Sequence, residues 1–392
     1  MNRIKLSVAT PLPSPLSSPT PALVPSAAPH LAPRVLLVED SPVELAIIRK
    51  ILDDNGILVV GTAMNGVEAL AKIPSLDPDV ICTDYHMPEM DGMALTQAVM
   101  AKYPRPILVL SISTQPYQVH NILNILQAGA LDVMAKPLPH HGGVAHTDAK
   151  LLVEKIRILS GVRVIAHHKT QGSVLPRPQP IPKAPDTVLS PTSTTPWHAA
   201  EIVGVGSSTG GPQALLKILS DLPAHFALPV VCVQHISAGF LPGFVAWLNG
   251  NTQLAVVVAE AGMRPHGGHV YVAPEGQHLV VDDQKRFQLL TPSADEVQVP
   301  SVDRLFQSLA AVYPGACVGL VLSGMGHDGA QGVVAIRQQG GLTLAQDEAS
   351  SIIFGMPKSA IDTGAVAEVW PLSRLAWRLV QLQNITATTP PP

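Results

Sequence analysis

Short, uninterrupted apolar runs recur along the chain, each ending in a polar or glycine-rich turn and followed by a stretch of helical length. Residues 35–38, 79–83, 107–110 and 133–135 are four such runs in the first half. Residues 202–205, 230–233, 254–258 and 318–322 follow in the second half, with a later pair at 342–345 and 366–369. A strand that is apolar throughout must be covered on both faces, and helices returning between parallel strands supply that cover. The alternation predicts an α/β chain with doubly wound parallel sheets: five strands in the first half and a mainly parallel sheet in the second. Residues 269–273, 278–282 and 286–290 lie too close together for helical crossovers, so they predict an antiparallel meander at the edge of the second sheet.

Composition shifts divide the 392 residues. Residues 1–33 are rich in Pro, Ser, Thr and Ala and cannot bury enough apolar surface to offset chain entropy, so disorder is expected there. Residues 160–198 hold seven prolines and little periodicity, which reads as a linker, and 383–392 reads as a disordered tail. Folded domains are expected over 34–159 and 199–382. A net charge of −4 offers no basic surface for nucleic acid. No apolar run reaches the roughly 18 residues of a membrane helix. Prolines interrupt the segment after Arg3 and Lys5, which speaks against a signal peptide. Cys82, Cys232 and Cys317 each sit in an apolar run, as buried reduced thiols would, in keeping with a cytoplasmic location. The pairs His140-His141 and His167-His168 lack partners at ligand spacing, so no metal is assigned to them.

In a parallel sheet, residues at strand C-termini converge on one crevice. In the first half these are Glu39, Asp40, Asp84, Ser111 and Lys136, while Ser41-Pro42 has the form of a helix cap followed by a first-turn proline. Acids often follow strands as solvated loop residues. Three carboxylates brought together, however, need positive charge; Lys136 gives one and a hard divalent cation, Mg²⁺ for preference, gives the rest. A carboxylate between a metal and a lysine is placed to attack a phosphoryl group. Asp84-Tyr85-His86-Met87-Pro88-Glu89-Met90-Asp91-Gly92 is similar to the D-x-x-M-P-x-M-D-G of response-regulator receiver domains, and residues 34 to about 159 resemble that family throughout. The resemblance implies that Asp84 accepts the phosphoryl group. It implies Mg²⁺ on Glu39, Asp40 and Asp84 with the His86 carbonyl, Ser111 as the switch hydroxyl, Lys136 on the phosphoryl group, and a cis Lys136–Pro137 bond.

In the second half, Gly206-Ser207-Ser208-Thr209-Gly210 joins an apolar strand to an amphipathic helix and reads as G-x-S-x-G. Small flanking residues permit the tight strand-to-helix turn that leaves a serine oxygen exposed, and the helix N-terminus favours a developing oxyanion. Such a turn also suits a phosphate, or no ligand. His235 ends one apolar strand and Asp328 follows another, so Ser208, His235 and Asp328 can meet as nucleophile, base and orienter. His266, His269, His278 and His327 compete for the base role, and Asp328 before Gly329 has the form of a cap for the next helix. A dinucleotide site is a second alternative, but Gln234-His235 stands where it needs an acid. A third is a binding module without catalysis.

Residues 199 to about 382 resemble the catalytic domain of the chemotaxis protein-glutamate methylesterases. The resemblance runs through Gly206–Gly211, Gln234-His235, Gly239-Phe240, Val270-Tyr271-Val272-Ala273-Pro274, Pro300-Ser301-Val302-Asp303, Gly324-Met325-Gly326-His327-Asp328-Gly329-Ala330, Gln346-Asp347-Glu348 and Phe354-Gly355-Met356-Pro357. It implies Ser208 as nucleophile, His235 as base and Asp328 as orienter, with Thr209 and Met325 lining the site as oxyanion donors. Ser207 stands where the family has a small residue; the G-x-S-x-G frame selects Ser208. The order receiver, linker, esterase also matches, and only the proline-rich extension departs from it. The implied activity is hydrolysis of chemoreceptor glutamate γ-methyl esters and deamidation of glutamines, with no cofactor for that step. The implied partners are methyl-accepting chemoreceptors and a chemotaxis histidine kinase that phosphorylates Asp84. The implied location is cytoplasmic, at receptor arrays, without membrane insertion or nucleic acid.

Overall fold

Strands and helices alternate through the first half: β1 (Arg34–Val38), α1 (Pro42–Asp54), β2 (Leu58–Ala63), α2 (Gly66–Leu76), β3 (Val80–Asp84), α3 (Gly92–Lys102), β4 (Ile107–Ser111), α4 (Pro116–Ala128), β5 (Asp132–Ala135) and, after a small hairpin, α5 (His146–Leu159). A two-residue hairpin, β6 (Pro139–His140) and β7 (Gly143–Val144), precedes α5. These assignments come from a computed structural model that describes residues 32–112, 116–140, 143–144, 146–164, 200–293, 296 and 298–383. Apart from their inner edges, the expected N-terminal extension, the linker and the tail lie outside the described residues, as do His141, His167 and His168. Among the described residues no helix is long and apolar enough to cross a membrane.

The five strands pair in parallel in the order β2-β1-β3-β4-β5. All residues of β3 and β4 are buried, which is why they read as unbroken apolar runs. The edge strand β2 is mostly half-buried and carries Gly61 and Thr62, so it made no such run. Side-chain caps start the helices: Ser41 accepts from the Glu44 N–H with Pro42 in the first turn, and Asp91 accepts from the Ala94 N–H at 2.8 Å. The Lys136–Pro137 bond is trans, contrary to the cis bond the resemblance implied; the Lys136 carbonyl accepts from the Leu138 N–H at 2.8 Å in a tight turn that suits a proline φ.

The second half holds β8 (Ile202–Ser207), α6 (Gly211–Asp221), β9 (Val230–Gln234), α7 (Leu241–Asn251), β10 (Ala255–Val258), β11 (His269–Val272), β12 (His278–Val281), β13 (Phe287–Leu290), α8 (Val302–Val312), β14 (Cys317–Val321), α9 (Ala330–Gln338), β15 (Leu342–Gln346), α10 (Met356–Asp362), β16 (Glu368–Trp370) and α11 (Leu372–Gln383). Seven strands form one parallel sheet in the order β10-β11-β9-β8-β14-β15-β16. Helices α6, α7 and α11 cover one face, and α8, α9 and α10 the other.

Among the described residues of the second half, the antiparallel pairing is that of β12 with β13. The run at 269–273, expected in the meander, enters the main sheet as β11 between β10 and β9. Its crossover from β10 is the loop 259–268 rather than a helix, so close spacing in sequence concealed a parallel connection; Val270, Tyr271 and Val272 are buried like the other central strands. From β8 the chain winds outward to β9 on one side and returns to β14 on the other. The crevice at the C-termini of β8 and β14 is therefore the switch point of the sheet, where α/β folds place ligands. The two halves share an apolar cluster: Val119, Ile122, Leu123 and Leu126 of α4 pack with Phe244, Trp247 and Leu248 of α7.

Candidate active site

The turn after β8 is made by close packing. A Cβ on Gly206 would collide with Val302 Cγ1 of α8. Gly210 has φ 78° as the N-cap of α6, a left-handed conformation that glycine adopts without strain. Between them Ser207 and Ser208 face different surroundings. Ser207 is fully buried and its hydroxyl donates to Gln234 Oε1 at 2.7 Å. Gln234 Nε2 in turn donates to the Ser208 and His235 carbonyls, both at 2.8 Å, tying the ends of β8 and β9 together. The Ser208 hydroxyl makes no hydrogen bond among the described residues, and Ser208 lines a cavity of about 530 Å³ with His235, Met325 and Gly326. A dinucleotide acid has no place at the end of β9, because Gln234 fills it as a buried brace.

His235 Nε2 lies 3.0 Å from Asp328 Oδ2. Asp328 does not cap α9, whose N-cap Gly329 has no side-chain bond. It sits instead at the N-terminus of α8, where Val302 N–H donates to Oδ2 at 2.7 Å and Asp303 N–H to Oδ1 at 2.9 Å. The Ser301 hydroxyl, 3.0 Å away, donates to Oδ1 as well. Burial opposes the Asp328 charge, but His235 and these N–H groups outweigh it and hold the carboxyl below the usual carboxylate range. An ionised Asp328 accepts only, so His235 carries its proton on Nε2 and leaves Nδ1 as the basic nitrogen. His266 and His269 stand at or before the start of β11, at the opposite end of the sheet. His327 is exposed, and His278 is buried behind α8.

Thr209 and Met325 are beside Ser208, and among the described residues neither backbone N–H has an acceptor. The Thr209 side chain is committed to the first half of the chain. Its hydroxyl donates to Asp132 Oδ2 of β5 at 2.7 Å and accepts from Lys155 Nζ of α5 at 2.9 Å, and Lys155 and Asp132 form an ion pair. Asp132, Lys155, Leu123 and Leu126 also line the cavity that holds Ser208. Gln213 of α6 donates to the Ala130 carbonyl at 3.0 Å, and Trp247 Nε1 to Asn124 Oδ1 at 3.0 Å. Sequence reasoning did not find this contact, because Asp132 opens an apolar strand and Lys155 sits on an ordinary charged helix.

The strand ends of the first half also meet. Glu39, Asp40 and Asp84 bring carboxylate oxygens within 4.8 Å of one another. Lys136 Nζ lies 2.8 Å from Glu39, 3.0 Å from Asp84 and 2.6 Å from Glu44, the last a residue sequence reasoning missed. Burial raises the Glu39 carboxyl to about 7 against the pull of Lys136, and burial likewise raises Asp84. Lys136 is buried too, but its three carboxylate neighbours outweigh that and push its pKa up. Ser111 ends β4, 2% exposed, and its carbonyl accepts from the Lys136 N–H at 3.0 Å. Crowded, desolvated carboxylates with a single lysine fit a divalent cation, which supplies the missing positive charge. The three cysteines are free and buried, with burial pushing each thiol up to about 12.

Family models agree with this division. Residues 203–379 match the CheB methylesterase model and residues 35–146 the response regulator receiver domain model. A protein-glutamate methylesterase/protein-glutamine glutaminase of Hahella chejuensis is 38% identical over 349 residues, covering 89% of this chain and 98% of that protein. The chain belongs to the CheB methylesterase family. A protein of the same description from Nitrosospira multiformis is 38% identical over 353 residues, 89% of this chain and 96% of its own. The crystal structure of the Thermotoga maritima CheB methylesterase catalytic domain is 34% identical, covering 47% of this chain and all of that one at a TM-score of 0.45.

Proposed function

We propose that residues 199–382 hydrolyse glutamate γ-methyl esters of chemoreceptors through Ser208, His235 and Asp328, under control of a receiver domain over 34–159. The chain is a phosphorylation-regulated protein-glutamate methylesterase and protein-glutamine glutaminase of chemotaxis. Ser208 Oγ attacks the ester carbonyl while His235 Nδ1 takes its proton, and Asp328 steadies the imidazolium. The backbone N–H groups of Thr209 and Met325 face the developing oxyanion. His235 returns the proton to the departing methanol, and water then releases the acyl-enzyme. Glutamine reaches the same acyl intermediate with ammonia leaving.

In the receiver, Asp84 accepts a phosphoryl group from a histidine kinase, with Lys136 on the phosphoryl oxygens and Ser111 as the switch hydroxyl. Glu39, Asp40 and Asp84 would hold Mg²⁺, which supplies charge neutralisation at the reacting carboxylate. The working location is the cytoplasmic face of receptor arrays.

The observation that carries the reading is the difference between adjacent serines: Ser207 is committed to Gln234, while Ser208, whose hydroxyl makes no hydrogen bond among the described residues, shares a cavity with His235, itself paired with Asp328. Methanol release from methylated receptor tests it. Ser208→Ala should leave only the roughly 10³- to 10⁴-fold residual catalysis over water that binding groups provide. Ser207→Ala should keep most of its turnover. The reverse pattern would overturn the assignment.

A further inference from the structure

Behind the catalytic carboxylate lies a second histidine that the reaction does not use. His278 is 1% exposed, on β12, and its Nδ1 accepts the Ser301 backbone N–H at 3.2 Å. That bond fixes its tautomer: Nδ1 carries no proton, so in the neutral ring Nε2 does. Nε2 has no hydrogen-bond partner among the described residues, yet Glu296 Oε2 stands 3.3 Å from it, off line for a hydrogen bond. Glu296 is itself anchored. Its Oε2 accepts from the Ser293 N–H at 2.8 Å and the Ser293 hydroxyl at 2.9 Å, and its Oε1 from Arg304 at 2.7 Å.

Ser301 is where this line meets the active site. Its side chain donates to Asp328 Oδ1 at 3.0 Å and, as N-cap of α8, accepts from the Arg304 N–H. The two α8 N–H groups that bind Asp328 belong to Val302 and Asp303, the next residues in the chain. Whatever fixes the backbone of Ser301 therefore fixes all three donors that seat the carboxylate. Residues 298–300, just before Ser301, form a bend with no strand or helix of their own. The buried acceptor that holds the Ser301 N–H is His278.

We infer that His278 is a positioning residue for the esterase: through Ser301 it sets the α8 N-terminus that aims Asp328 at His235. This rests on the reading of Asp328 as orienter. The effect reaches the reaction only through the geometry of His235, so it belongs to turnover and not to receptor binding. Misaiming a catalytic group by about 1 Å costs on the order of 10²-fold.

The test uses the full, phosphorylated chain and methanol release from methylated receptor, with kcat and KM separated. His278→Leu should lower kcat by about 10- to 100-fold with KM changed less than twofold. His278→Asn keeps an acceptor near the Nδ1 position and should recover kcat to within a few-fold of the parent, which a merely structural filling of the site by leucine would not predict. Combining His278→Leu with Ser301→Ala should cost little beyond the worse single variant, since both act on one seat. Nitrogen NMR of the parent should find the His278 proton on Nε2. If His278→Leu melts like the parent and keeps its kcat, or if Asn is as slow as Leu, the inference is wrong. Asp328→Asn separates the two readings. An unimpaired Asp328→Asn enzyme overturns the orienter role itself, whereas an impaired one alongside unimpaired His278 variants overturns only the inference.

Discussion

One lysine sets the charge balance of the receiver crevice. Lys136 touches Glu39, Glu44 and Asp84, with Asp40 close by, so one positive charge faces four acids. Burial of Glu39 and Asp84 raises both carboxyls, which records how poorly that single charge compensates them. A divalent cation held by Glu39, Asp40 and Asp84 would supply the missing charge and leave Asp84 as a carboxylate. Incubation of the full chain with a small phosphodonor should label it in Mg²⁺, chelation should prevent labelling, and Asp84→Asn should do the same. Label that survives in Asp84→Asn would move the acceptor elsewhere. The sequence exposed most of this crevice because its members end successive strands. Glu44 escaped because an acid in a helix's first turn is adequately explained by the helix dipole; only the fold brings the end of β5 over it.

Elements decide which residues can meet, and here periodicity was informative where strands are central and less so at the margins. β8, β9 and β14 are buried throughout and were found from their apolar runs, as were His235 and Asp328 at or beyond strand ends. β11 was read as an antiparallel edge strand because its loop crossover mimics the spacing of a meander, whereas it pairs in parallel inside the sheet, and Ser301 showed only as part of a motif. What the sequence could not display is packing between helices far apart in the chain. Helix α4 meets α7 along an apolar seam, and the indole of Trp247, fully buried, donates to Asn124. Asn124→Ala leaves that N–H unpaired only while the helices are docked, a penalty of about 1–3 kcal/mol on the docked form. Each 1 kcal/mol is about fivefold in an equilibrium constant. The unphosphorylated variant should therefore release methanol several-fold faster than the parent, and the phosphorylated variant should match the phosphorylated parent. An unchanged basal rate would mean that the α4–α7 seam plays no part in restraint.

At the scale of the whole molecule, the receiver forms a wall of the cavity into which Ser208 opens. Leu123, Leu126, Asp132 and Lys155 make up that wall, facing Ser208 and His235 across the cavity. The wall is pinned at the turn after β8, where Thr209, next to Ser208, bonds both Asp132 and Lys155. Lys155 lies on α5 and Asp132 on β5, so when the receiver moves away their ion pair stays with it and regains water. The docked form depends on Thr209 satisfying a pair that is buried there, and breaking one member of a buried pair typically costs 3–5 kcal/mol. In the proposed scheme, phosphorylation of Asp84 would act through the adjoining ends of β4 and β5, and a shift of only a few kcal/mol in this balance would open the site. Lys155→Met, which leaves Asp132 buried with Thr209 and the Val133 N–H but no cation, should raise the basal rate of the unphosphorylated chain toward that of a fragment beginning at Ala199. Phosphorylation should then add little, whereas in the parent it closes part of the gap to the fragment and Asp84→Asn prevents that closing. Methanol release from all of these forms at equal concentration measures it. A fragment no faster than the unphosphorylated parent would rule out occlusion and leave recruitment to the receptor as the receiver's way of acting. A fast fragment beside a slow Lys155→Met chain would keep occlusion but assign the restraint to the α4–α7 seam rather than to the buried pair.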